Sequence, residues 1–244
     1  MHRHFIAGLF AVLFFQHFPS PAQGTQADTL FVAAAQESAR EEYTLEMEGQ
    51  SNIFSGTEYG EHLNLRDGQH PFFLVDDWSD GSVFYDGEFY KKVSLMYDIN
   101  SDKVIVEHYY NHSMVQLVEG KVGGFSFLNR TFTRISDVGN SEIAPGFYEL
   151  LYDGDLKVLG KHEKIKERTI ESHRVLFYFV EKSRYYILKD GVYHKVNDKA
   201  SVLAVLADQK PALKKFISDK KINFRADREK AIARVAEFYY TIKK

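Results

Sequence analysis

Three Asp-Gly dipeptides, Asp86-Gly87, Asp153-Gly154 and Asp190-Gly191, each stand between runs of aromatic and aliphatic residues. A two-residue hairpin loop of type I′ needs positive φ at both positions, which Asp and Gly tolerate and bulky residues do not. Residues 83–90 carry the clearest case. A loop at Asp86-Gly87 sets Phe84 opposite Phe89 and Val83 opposite Tyr90. At Asp190-Gly191 the same rule sets Leu188 opposite Tyr193. The three tips are unevenly spaced, so the pattern is hairpin chemistry used three times, not a propeller or solenoid repeat.

Between the tips the period is two. Val93, Leu95, Tyr97 and Ile99 alternate with Lys92, Ser94, Met96 and Asp98, and Val104, Val106 and His108 continue the inward face after a turn at Asn100-Ser101-Asp102. Further strands are expected at 114–118, 121–127, 131–135, 147–152, 156–159, 174–180 and 184–196, with short ones at 52–59 and 63–65. After Val196 the period becomes 3.6. Asn197 or Asp198 caps a helix carrying Val202, Leu203, Val205 and Leu206. Asp208 caps a second, with Pro211 in its first turn and Leu213, Phe216 and Ile217 on one face. A third begins near Asp227 with Ile232, Val235, Ala236, Tyr239 and Ile242 as its stripe. The expected fold is α+β: an antiparallel meander, curled as an open barrel, clam or sandwich, with two or three amphipathic C-terminal helices packed on it.

The first residues read as a leader. Arg3 with His2 and His4 precedes an apolar run over 5–15, too short for the roughly 20 residues that span a bilayer. Pro19 and Pro21 then break any helix, and Ala22-Gln23-Gly24 offers small residues before a cut at Thr25. The expected organisation is a signal peptide over 1–24 and a linker or loosely docked arm over 25–50. A β-rich domain over 51–196 and a helical segment over 197–244 follow. The chain holds no Cys. That excludes disulfides, thiolate metal sites, thiol nucleophiles and a lipobox anchor. A periplasmic or secreted address follows, with no transmembrane segment after cleavage, and cohesion must come from core burial alone.

Charge is distributed in blocks. Residues 25–102 hold 16 Asp and Glu against 4 Lys and Arg, whereas 209–244 hold 4 against 11. Either the two ends lie against each other or the basic tail meets an anionic partner, an envelope protein or lipid, through Lys214, Lys215, Lys220 and Lys221. No nucleic-acid recognition motif occurs.

Catalytic signatures are missing. There is no G-x-S-x-G, P-loop or dinucleotide fingerprint, and a carboxylate pair cannot be picked out of 34 acids. His108 and His112 would stand about 13 Å apart along a strand, too far to share a metal without a sharp bend. Read as an EF-hand from Asp76, the acidic turn Asp76-Asp77-Trp78-Ser79-Asp80-Gly81 puts Gly87 where a carboxylate is needed. No metal or cofactor is expected. Trp78, Tyr109, Tyr110 and His112 are the candidate ligand-binding residues, as loop aromatics and an imidazole suited to surface recognition.

Several phrases carry a resemblance: YDGEFYKKVSLMYDINSDKVIV (85–106), PGFYELLYDG (145–154), YYILKDGVYHKV (185–196) and LKKFISDKKINFRADREKAI (213–232). From about Val83 onward the chain resembles a group of uncharacterised exported proteins of Bacteroidetes. The resemblance implies a Gram-negative envelope or extracellular address. It carries over no functional residue, because the shared phrases describe hairpins and helices. The function expected is a non-enzymatic binding or adaptor protein of the envelope. Two alternatives are a carrier of a small apolar ligand in a lipocalin-like or clam-like β pocket, and a hydrolase with an unrecognised carboxylate pair.

Overall fold

The structure, a computed structural model, describes residue 36 and residues 52–60, 64–136 and 143–243. The signal peptide expected over 1–24 lies outside the described residues. So does the arm expected over 25–50, apart from Gln36, which is helical and exposed.

Strands β1 (Thr57–Glu58), β2 (Ser79–Tyr85), β3 (Glu88–Asp98), β4 (Lys103–Glu107), β5 (Met114–Gln116) and β6 (Val122–Phe127) form one part of the sheet. Strands β7 (Arg130–Ile135), β8 (Gly146–Asp153), β9 (Lys157–Glu171), β10 (Arg174–Lys189) and β11 (Val192–Val196) form the other. Together they make one 11-stranded antiparallel sheet in the order β1-β5-β4-β3-β2-β6-β7-β8-β9-β10-β11. Two meanders meet where β2 pairs with β6, and the sheet stays open, with β1 and β11 as its edges. It curls all the same. The Lys164 N–H of β9 donates to the Ile99 carbonyl beyond β3 at 3.1 Å, and Asn100 Nδ2 donates back to the Lys164 carbonyl at 2.7 Å.

The curl follows from the sequence pattern. Val83 and Tyr85 of β2, Leu95 and Tyr97 of β3, Val122, Phe125 and Phe127 of β6 and Phe132 of β7 share one apolar face, which leaves water as the sheet wraps around it. Tyr85, Leu95, Tyr97, Phe125, Phe132 and Phe147 fill the interior, with Phe125 and Phe132 stacked at 4.8 Å. Asp102 ties this interior to β8 and β9 by accepting from Tyr97 Oη, the Phe147 N–H and Lys161 Nζ. Gly146, at φ 140°, opens β8 beside that carboxylate. A Cβ there would collide with Asp102 and stand 2.8 Å from Lys161 Nζ, so only glycine fits.

Two of the three Asp-Gly tips form as expected. Asp86 and Gly87 take φ of 52° and 87°, with Phe84 opposite Phe89 and Val83 opposite Tyr90. Asp190 and Gly191 take 51° and 78°, with Leu188 opposite Tyr193. Asp153-Gly154 departs from the pattern. The loop there runs through Leu156, whose carbonyl accepts from the Gly154 N–H, because Leu156 is drawn into the core beneath the helices. The strand expected at 156–159 extends to Glu171, and β10 runs through 181–183 without the expected break. Beyond the core these two strands form a ribbon exposed over most of both faces, so its β9 half shows no apolar alternation. At the N-terminal end, 52–59 is a 3-10 turn (Asn52–Phe54) followed by the two residues of β1. Of the strand expected at 63–65, residue 63 lies outside the described residues and Leu65 makes a single parallel bridge to Phe177.

Helices α1 (Lys199–Val205), α2 (Lys210–Asp219) and α3 (Arg228–Lys243) cover Leu156, Val158, Tyr185, Ile187 and Val196 with Val202, Leu213, Ile217, Ile232, Val235 and Tyr239. Asp198 caps α1 through a reciprocal box with Ser201. Asp227 accepts from the Lys230 N–H at the start of α3. Asp208 is a correction: Gln209 is the N-cap of α2, without a side-chain bond. The Asp208 carboxylate instead accepts from Tyr239 Oη at 2.7 Å and Lys189 Nζ at 3.0 Å, locking α3 to β10.

That lock is sensitive to acid. Burial works against ionisation, but the bonds from Tyr239 and Lys189 hold the Asp208 carboxyl below its ordinary 3.8. A carboxyl depressed by folding stabilises the fold above its unfolded pKa, and the contribution fades as pH falls through the folded value. Stability measured from about pH 5 to about pH 2 should therefore fall less steeply in Asp208→Asn than in the wild type. Profiles that fall in parallel across that window contradict the lock.

Candidate functional site

Both faces of β3 to β5 are covered, although the sequence alternation promised only one. Met96, Ile105 and Met114 point away from the aromatic interior and are covered by Tyr59, Phe72 and Trp78. The cover is an irregular segment, residues 64–78, laid across the sheet. Backbone bonds fix it at both ends: Phe73 N–H to the Tyr97 carbonyl at 2.8 Å, and Arg66 N–H to the Phe177 carbonyl at 2.8 Å. Gln69 Oε1 accepts from the Phe179 N–H, and Lys164 Nζ reaches the carbonyls of His70 (3.0 Å) and Phe72 (2.8 Å). Phe73 turns into the interior, against Phe132 at 5.3 Å and Tyr97 at 6.4 Å.

Between segment and sheet lies a groove of about 350 Å³. Its walls are Tyr59, Phe72, Trp78, Met96 and Met114, and its polar groups are Gln69, His70, Asp76 and Asp77. The floor is anchored by Asp98, which is wholly buried and accepts from Tyr59 Oη at 2.8 Å and from the N–H groups of Asn100 and Ser101. Burial, with the Lys164 ammonium nearby, holds the His70 imidazole below its ordinary 6.5, so it is mainly neutral at pH 7. Burial likewise lowers Lys164. An apolar wall with a few convergent polar groups is the usual make-up of a small-molecule site.

The chain matches no family model, no curated protein and no solved structure.

Of the residues expected to bind ligand, Trp78 lines the groove. The others sit in the β4–β5 loop. Tyr109 and Tyr110 are exposed and meet edge to face at 4.9 Å, while His112 Nδ1 pairs with Glu107 at 2.7 Å. The chain does bend sharply there, with His112 at φ 55°, but the His108 ring packs against Phe54 at 4.9 Å. Lys214, Lys215, Lys220 and Lys221 are exposed on and just beyond α2, and none of them pairs with an acid among the described residues. No helix among the described residues is long and apolar enough to cross a membrane.

A second cluster was not legible in the sequence. Arg130 Nη1 of β7 donates to Glu149 Oε1 at 2.6 Å and Oε2 at 2.8 Å, and to Glu229 of α3 at 2.8 Å. His162 Nε2 meets Glu149 Oε2 at 2.8 Å, and its Nδ1 meets Ser183 Oγ at 3.0 Å. A cavity of about 200 Å³ adjoins the cluster. One ligand atom from each of Glu149, His162 and Glu229 falls within 4.8 Å of the others, a spacing a divalent ion could use. The Arg130 guanidinium already supplies the positive charge there, bridging both carboxylates. The run Ser183–His162–Glu149 resembles an acid–base relay, but a carboxylate neutralised by Arg130 is poorly placed to polarise the imidazole. The cluster's evident work is to join sheet and helix.

Proposed function

We propose that this chain is an exported, non-catalytic binding protein of the cell envelope whose ligand site is the groove beside Trp78. The observation that carries this reading is the groove's construction. Three aromatic side chains and two thioethers enclose a volume within the usual range for small-molecule sites. A segment without helix or strand period is held in place there by bonds to β3, β9 and β10. The leader-like residues 1–24 and the resemblance to exported proteins support the address.

A thermal-shift screen of small amphiphiles tests the site. Bound ligand raises the melting temperature by mass action, and Trp78→Ala should abolish the rise while leaving the unliganded protein folded. Shifts of equal size in wild type and variant would place binding elsewhere.

The exposed lysines of the helical cap, which pair with no acid among the described residues, favour a companion role, contact with anionic envelope lipid. Salt-sensitive sedimentation with anionic liposomes, lost on neutralising Lys214, Lys215, Lys220 and Lys221, is the expected result. Salt-independent or absent sedimentation removes it.

A further inference from the structure

We infer that the groove selects organic cations, compact ammonium compounds with an apolar body. The inference rests on the groove being the ligand site and adds the class of ligand. Three features of charge lead to it.

The first is the wall. Tyr59, Phe72 and Trp78 present aromatic surface, and aromatic faces carry a negative quadrupole that attracts desolvated cations. The second is the rim. Asp76 and Asp77 stand exposed at the mouth; neither forms an ion pair among the described residues, and Asp76 acts on Lys164 and His70 only at longer range. The Asp77 carboxylate accepts the backbone N–H of Trp78 at 2.8 Å. The third is the balance behind the wall. Asp98 is buried beneath Tyr59. Among the described residues, the Lys164 ammonium near the groove is committed to two backbone carbonyls and paired with Glu181 at 3.4 Å. His70 adds little positive charge at neutral pH.

The net field at the mouth is therefore negative, and it sits over an apolar cavity. An anion would face Asp76 and Asp77, with Lys164 already engaged by two carbonyls and Glu181. A neutral apolar molecule would fill the cavity but leave the rim unused. A cation with methyl or methylene groups satisfies both.

The test uses a natural probe, because Trp78 is the only Trp in the chain. Its emission is titrated in the full chain with choline and with 3,3-dimethylbutan-1-ol, the uncharged carbon isostere of choline. Both should perturb the emission saturably, with choline binding about tenfold tighter at low salt. In Asp76→Asn/Asp77→Asn that preference should shrink to about twofold or less. These exposed side chains can change without disturbing the core. Equal or tighter binding of the alcohol, or a preference that survives the double substitution, overturns cation selection while the groove stands as the site. Absence of saturable change with either compound overturns the groove and the cation inference together.

Discussion

Phe132→Ala should cost about 4 kcal/mol of unfolding free energy, the range for removing a fully buried aromatic ring. Phe132 is 2% exposed and meets Phe73, Tyr97, Phe125 and Phe127, so the cavity it leaves is walled on every side by rings that cannot all move. Phe84 is the control. It stands on the other face of the sheet, 46% exposed, and Phe84→Ala should cost less than about 1 kcal/mol. Urea unfolding of the two variants measures the contrast directly. Similar costs would mean that the sheet does not curl around an aromatic interior.

Arg130→Leu should cost about 3 kcal/mol, toward the lower end for breaking a buried ion pair, because the guanidinium keeps partial contact with water. The loss comes from Glu149. Its side chain is 5% exposed, and without Arg130 it would hold a charge answered only by His162. Adding Glu149→Leu to the first substitution removes the stranded carboxylate and should restore much of the stability, since apolar replacements of buried pairs are often tolerated. A cost below about 1 kcal/mol for Arg130→Leu alone would class the contact with ordinary surface pairs.

These two predictions sit on opposite sides of what the sequence made legible. The aromatic interior was readable because strand period is local: Leu95 and Tyr97 fall two apart and share a face whatever else the chain does. The tips at Asp86-Gly87 and Asp190-Gly191 were readable for the same reason, since positive φ is a demand the two residues meet by themselves. Asp153-Gly154 has the same chemistry, but a neighbour overrode it when the helical core captured Leu156. The outer half of β9 escaped notice because a two-stranded ribbon in water needs no apolar face. In the helices, Asp198 and Asp227 behaved as caps. Asp208, with equal capping potential, found Tyr239 and Lys189 instead.

The groove was legible only in part. Trp78 and the acidic turn around it stood out, but their partners Tyr59, Phe72, Met96 and Met114 come from separate segments, and no periodicity links them. Met96 and Asp98 occupy positions that alternation assigns to solvent. They are buried because residues 64–78, which have neither a helical nor a strand pattern, lie over them. Arg130, Glu149, His162 and Glu229 are likewise scattered along the chain and meet only when β7, β8, β9 and α3 are in place. Such pairings are tertiary facts, and single residues give no sign of them.

The groove exists only if residues 64–78 form a fixed wall on the sheet. Amide hydrogen exchange on the full chain tests that most directly, at the N–H groups of Arg66, Phe73, Phe177 and Phe179, which carry the joining bonds. Protection of Phe73 comparable to that of core amides such as Tyr97, with slower exchange at all four positions when ligand is bound, is the predicted result. Exchange of Arg66 and Phe73 at the rate of an unstructured peptide, with or without ligand, would contradict it, because the groove would then have no second wall.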